Sequence, residues 1–248
     1  MLVSQAKTAR DITLRMLCVG ALIYRRELEL SYQQNNASPE RRQECLFMQV
    51  RLLKWIAYEK LENYLTEAER TLIHKPLGEW TQRALHVVGW RLETLGVLLW
   101  ALRLVEWIPT FDTRFTFAEL ADALDVLAPT IDLMWCAELR SADQLTRMHD
   151  TAELWNWRCH AAELITLGVK PSQGVDYRDV IRVTAEQAHA DGTLPPLLEG
   201  DFPAFGRPFV SISAEQYHLI RAISAERYSV MCWLMEPSAE WQSLPNDL

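Results

Sequence analysis

The stretch VVGWRLETLGVLLWALRLVEWIP, residues 87–109, constrains the fold of this chain more than any other. From Leu95 to Ala101 it has no charged side chain on any helical face. A helix that is apolar all round has to be buried, either in protein or in lipid. Arg103 and Glu106 interrupt the run well short of the roughly 18 residues that a membrane span needs. The stretch therefore predicts a central core helix, and no membrane association is expected.

The composition fits a folded chain, with 49% apolar and 23% charged residues over 248 positions, enough to bury a sizeable core. Cys18, Cys45, Cys136, Cys159 and Cys232 form no CxxC pair, so neither a zinc knuckle nor a disulfide framework is indicated. Reduced thiols and a cytoplasmic location are the expectation. The apolar segment Met16 to Tyr24 lacks the small residues of a signal cleavage site and runs directly into Arg25 and Arg26. It reads as a helix with Asp11 and Arg15 on its polar side.

Helix starts are marked throughout by side chains able to accept the free N–H groups of a first turn. Ser38 precedes Pro39, and Cys45, Met48, Leu52, Trp55 and Ile56 then recur at helical spacing. Capping boxes follow at Thr66/Glu69, Thr116/Glu119, Ser141/Gln144 and Ser213/Gln216. The helix after Ser141 carries Leu145, Met148, Ala152, Trp155, Cys159 and Ala162 on one stripe and should end at Gly168. Another runs from about Tyr177 to Ala190 and stops at Gly192, and a last one from Ser213 to about Met235. The intervening TLPPLLEGDFPAFGRPFVSIS is rich in proline and glycine and excludes helix. There Phe209, Val210 and Ile212 predict a short strand paired with Leu198 to Phe202. The fold class expected is mostly α: a single helical domain with one short β-hairpin-like insertion near residues 198–212. Helices within 5–64 could form a subdomain packed on 65–236.

Several blocks occur in the order LTEAERTLI, GWRLETLGVLLWALRLVEWIP, WNWRCHAAEL, GDFPAFGRPF and AERYSVMCWL. In these blocks the chain resembles the bacterial family named domain of unknown function 4272. The resemblance implies a mostly helical domain whose recurrent polar residues are here Arg91, Glu93, Arg158, Glu226 and Arg227. It departs at the end, where EWQSLPNDL stands in place of an Asp-rich Trp-Asp-Asp type tail, so no role is assigned to those acids.

Charges inside apolar helices must be paired and hydrogen-bonded or must face a cleft. Two readings follow for Arg91, Arg158 and Arg227. They bridge helices to Glu93, Glu163 or Glu226, or they line a pocket for an anionic small molecule walled by Trp90, Trp157 and Trp233. Arg91 and Glu93 diverge at i, i+2, so each needs a partner on another element.

No GxSxG, GxGxxG, GxxxxGK[ST] or HExxH occurs, and no catalytic residue is assigned. His149-Asp150 and His160/Glu163 have ligand-compatible types, but His149 and His160 stand some 16 Å apart along one helix and could not share an ion. No metal and no cofactor are expected.

Charge is distributed unevenly. Residues 1–105 carry fifteen basic against eleven acidic side chains, residues 106–163 four against eleven, and residues 164–248 six against eleven. The acidic part, residues 106–248, should repel nucleic-acid phosphates and attract basic proteins. Trp107 and Trp135 are interleaved with Asp112, Glu119, Asp122, Asp125 and Asp132, the mixture of aromatic anchors and charges that suits a protein-binding face, although a solvated helix face over an aromatic core gives the same pattern. The function expected is a non-enzymatic protein-binding module. It would be of the immunity or regulatory type and act on a basic bacterial toxin or enzyme. The competing expectation is an enzyme or ligand sensor built on an Arg-lined helical pocket.

Overall fold

The computed structural model describes residues 7–169, 176–241 and 244–245, apart from the side chain of Asp132. Its contacts divide the chain into two compact units. Unit 1 comprises Met1–Ile108, Phe115–Arg140 and Glu236–Leu248, and unit 2 comprises Pro109–Arg114 and Ser141–Met235. The architecture is mostly α, as the capping pattern predicts, with a single tiny sheet among the described residues.

Unit 1 holds α1 (Ala9–Gln33), α2 (Pro39–Tyr58), α3 (Glu67–His74), α4 (Gln82–Ala101), α5 (Phe117–Ala121) and α6 (Ile131–Cys136). The all-apolar stretch is the second half of α4, and every residue from Arg91 to Leu102 is buried. Among the described residues no helix is long and apolar enough to cross a membrane. Helix α4 packs on α1, which buries Ile12, Met16, Leu17, Cys18, Val19, Leu22 and Ile23. Each such side chain contributes about 1.5–3 kcal/mol through removal from water. Gly96 is required where α4 meets Phe115, because a Cβ at that position would lie 2.3 Å from the ring.

The polar side expected for α1 is only partly polar. Asp11 closes a capping box with Thr8, but Arg15 is buried and pairs with Glu69 at 2.7 Å. Glu69 also accepts the Thr66 N–H, so one carboxylate both caps α3 and neutralises α1. The boxes at Thr66, Thr116 and Ser141 form as expected, and at the start of the last helix Gln216 and Ser213 exchange the equivalent bonds.

Unit 2 holds α7 (Ala142–Thr166), α8 (Tyr177–Ala190), a hairpin of β1 (Pro203–Ala204) and β2 (Arg207–Pro208), and α9 (Ala214–Met235). Helix α7 packs along α9. Trp155 of α7 stacks on Phe111 at 5.2 Å and meets Phe202 edge-on at 5.3 Å. Arg227 of α9 donates to the carbonyls of Pro109 at 2.6 Å and Thr113 at 2.9 Å, which ties the segment Pro109–Arg114 to this unit.

The β element lies in the expected region but uses other residues. Its strands are 203–204 and 207–208, joined by Phe205 and Gly206, both at positive φ as a two-residue type I′ turn requires. Of the expected strand residues Phe209, Val210 and Ile212, the first two start a short 3-10 turn, Phe209–Ser211, and Ile212 caps its end. The reason is competition for their N–H groups. Phe209 donates to the Phe202 carbonyl, but the Val210 N–H goes to the carboxylate of Asp201, so the ladder ends. Leu198 pairs with Asp201 only as an isolated bridge.

Candidate functional site

The five polar residues of the sequence blocks quoted above do not form one constellation. Arg91 and Glu93 lie buried on α4 in unit 1, where Glu93 accepts the Phe115 N–H at 2.9 Å and so holds the chain entering α5. Arg158, Glu226 and Arg227 belong to unit 2. Glu226 is half-buried on α9. Arg227 is fully buried, with its guanidinium over the Phe111 ring at 4.9 Å and its N–H groups on the carbonyls already named. These bonds make Arg227 a clamp on the chain.

Arg158 is different. Its Nε and Nη2 donate to Asp201 at 2.8 and 2.7 Å, a side-on bidentate pair, and its guanidinium lies 4.1 Å from the centre of the Phe209 ring. Glu163 is among the partners expected for these arginines, yet it is held by Arg221 and Tyr217. Burial alone would raise the Glu163 pKa, but the bonds from Arg221 and Tyr217 outweigh it and hold the carboxyl below its ordinary range. Nη1 of Arg158 is buried and has no hydrogen-bond partner among the described residues. Arg158 also lines a cavity of about 890 Å³ together with Ile165, Tyr177, Arg178, Glu199 and Val210. Reading the sequence missed Asp201, Arg178 and Glu199. The proline- and glycine-rich segment around Asp201 was the available signal that loop residues come to a site.

The acidic face resolves into distinct roles. Trp107 and Trp135 are 60% and 84% exposed, unusual for residues with so much apolar surface. Trp107 and Asp122 line a groove of about 400 Å³ with Leu104, Phe115, Glu119 and Leu120. Glu138 pairs with Arg103 at 3.5 Å, and Arg140 donates to the carbonyls of Trp100, Val105 and Glu106, which brings residues 138–140 beside this groove. Asp125 is exposed. Glu119 serves the α5 capping box, and its bonds from Thr116 lower its pKa. Asp112 belongs to unit 2. Burial pushes its pKa up, but hydrogen bonds from Thr110 and from the Phe205 backbone outweigh this and leave it lowered. Asp132 was assigned to this face as well, and its side chain lies outside the described residues.

His149, Asp150 and Glu153 bring one ligand atom each within 4.8 Å of one another on α7. Asp150 and Glu153 are exposed, and the His149 ring lies against Tyr228. His160 lies farther along α7 and bonds Glu163 at 3.0 Å.

The cysteines separate by burial. Burial pushes the Cys18 thiol up to about 12 and the Cys159 thiol up to about 11, whereas Cys136 is exposed. Iodoacetamide at about pH 8 should therefore alkylate Cys136 first and leave Cys18 and Cys159 unmodified while the protein is folded. Peptide mass mapping after timed quenching checks this. Modification of Cys18 at the rate of Cys136 would contradict the packing of α1.

Comparison with known proteins adds one relation. The family model described as Domain of unknown function (DUF4272) matches residues 4–183. The match runs from the segment before α1 into α8, so the blocks GDFPAFGRPF and AERYSVMCWL lie beyond it. No curated protein and no solved structure matches the chain.

Proposed function

The chain belongs to the DUF4272 family, a family of unknown function, and on that premise we propose that it is a non-enzymatic binding module that captures a basic protein through unit 1. The observation that carries this reading is the exposure of Trp107 and Trp135 within a strongly acidic segment. Exposed tryptophans lose water favourably on association, and surrounding carboxylates select and steer a positively charged partner. Glu106, Glu119 and Asp122 stand along the groove that holds Trp107. A partner of the toxin or basic-enzyme type, with this chain as its immunity or regulatory protein, suits that charge pattern.

The expected result is kinetic. Replacing Asp122 and Asp125 together by Asn should leave the fold intact, because both side chains are exposed. It should also slow association with a basic partner recovered by affinity capture. Wild-type affinity should fall as salt passes about 0.1 M, where screening shortens the reach of surface charge to about 10 Å. Trp107→Ala should instead speed dissociation, since it removes an anchor rather than a steering charge. Equal association rates for wild type and the double variant, with no salt dependence, would exclude the acidic-face reading.

A further inference from the structure

Helix α2 is apolar on two sides. Cys45, Leu52 and Ile56 are buried on the side that packs on α1. The outer side carries Leu46, Phe47, Val50 and Tyr58, all exposed, Phe47 by 60% and Tyr58 by 79%. At about 3.6 residues per turn these four fall within roughly one third of the helix circumference, so they form a continuous stripe and not scattered single exposures. Covering such a stripe removes apolar surface from water and is favourable.

Two charges lie on the stripe, placed symmetrically about Phe47. Glu40 stands seven residues before it and Lys54 seven residues after it. Seven residues are about two helical turns, so acid, ring and base stand in line on one face. Both charged side chains are exposed, and among the described residues neither forms an ion pair. A surface that covers this stripe has to be apolar in the middle and carry the same two charges in reversed order. Another copy of α2, running antiparallel, is such a surface. An anionic lipid surface is not, because its headgroups would meet the Glu40 carboxylate at one end of the stripe.

We infer that two copies of this chain pair through α2, antiparallel about a two-fold axis at Phe47. The two Phe47 rings meet at the axis, Glu40 of each copy meets Lys54 of the other, and Leu46 and Val50 close the apolar seam. A parallel pair would set Glu40 against Glu40 and Lys54 against Lys54. The charges therefore select the orientation, while the apolar side chains supply the affinity. Pairing of one face with itself about a single axis is closed and stops at two chains. One helix pair is smaller than a standard interface, so a dissociation constant on the order of 10–100 µM is expected.

Sedimentation equilibrium of the full chain across that concentration range tests the pairing. Wild type should pass from monomer to dimer and no further. Phe47→Ala, E40K and K54E each alter an exposed side chain and should leave the fold intact, with circular dichroism as the check. Each should weaken the dimer about tenfold or more, the first by removing the central ring and the others by setting like charges together at both ends. An equimolar mixture of E40K and K54E should dimerise again, because a mixed pair sets lysine against glutamate at both ends. Wild type that stays monomeric at about 1 mM would overturn the proposal. So would a dimer insensitive to all three variants, or a mixture that associates no better than either variant alone. Binding of wild type to phosphatidylglycerol vesicles, lost in Phe47→Ala and without pairing in solution, would assign the stripe to a membrane surface instead.

Discussion

Glu29→Ala is expected to destabilise unit 1 by about 3–5 kcal/mol, the range for removing one partner of a buried ion pair. Arg25 and Glu29 are both inaccessible to water and meet at 2.6 Å, one helical turn apart on α1. The carboxylate also accepts from Gln33 and from the backbone N–H groups of Gly78 and Trp80, so it fixes the turn after α3. Arg25 in turn donates to the Lys75 carbonyl and lies 5.0 Å from the Trp80 ring. Alanine would strand a buried guanidinium and two backbone donors at once. Because two units need not unfold in a single step, hydrogen exchange of α1 amides alongside urea denaturation is the suitable measurement. The double variant Arg25→Met/Glu29→Leu should recover part of the loss, since no charge is left unpaired. A single variant with unchanged α1 protection would show that the pair does not hold this turn.

In unit 2 the corresponding change is Asp201→Ala, also expected to cost about 3–5 kcal/mol. Asp201 accepts two bonds from Arg158 and one each from the N–H groups of Phe202 and Val210, the last being the bond that ends the hairpin. Its loss frees residues 202–210 and leaves Arg158 unneutralised beside Phe209. Asp201→Asn should lose less, because the amide oxygen can still accept two of the four bonds. Amide exchange should rise in the hairpin and in α7, while α1 stays protected. Equal exchange in wild type and Asp201→Ala would mean that the pair is not what holds the segment.

Much of the secondary structure was readable because its causes are local. A hydroxyl at Thr66, Thr116, Ser141 or Ser213 and a long acceptor three residues on are enough to start a helix, and Gly168 and Gly192 at positive φ follow the ends of α7 and α8. The capping box of Thr8 with Asp11 departs from the usual pattern, because Asp stands where Glu or Gln is the common signal. The hairpin failed at the level of single bonds. Periodicity favoured Phe209 and Val210 as strand, but a side chain from Asp201, nine residues earlier, took the N–H that a ladder needs.

The candidate sites depended on separations that no window of sequence spans. Arg158 and Asp201 are 43 residues apart, Arg15 and Glu69 are 54 apart, and Arg227 reaches Pro109 across 118. Composition could place an excess of acids between residues 106 and 163 and aromatics among them, but not say which tryptophans face water. Trp155 is buried against Phe111 and Phe202, while Trp107 and Trp135 are exposed. The sequence by itself determined where helices start and stop and that α4 is buried, because capping and amphipathic periodicity act within about one helical turn. Only the tertiary structure decided which charges became buried clamps, which stayed open in a cavity, and to which unit residues 109–114 belong. Each of those outcomes depends on how well a partner from a distant part of the chain offsets the cost of removing a charge from water.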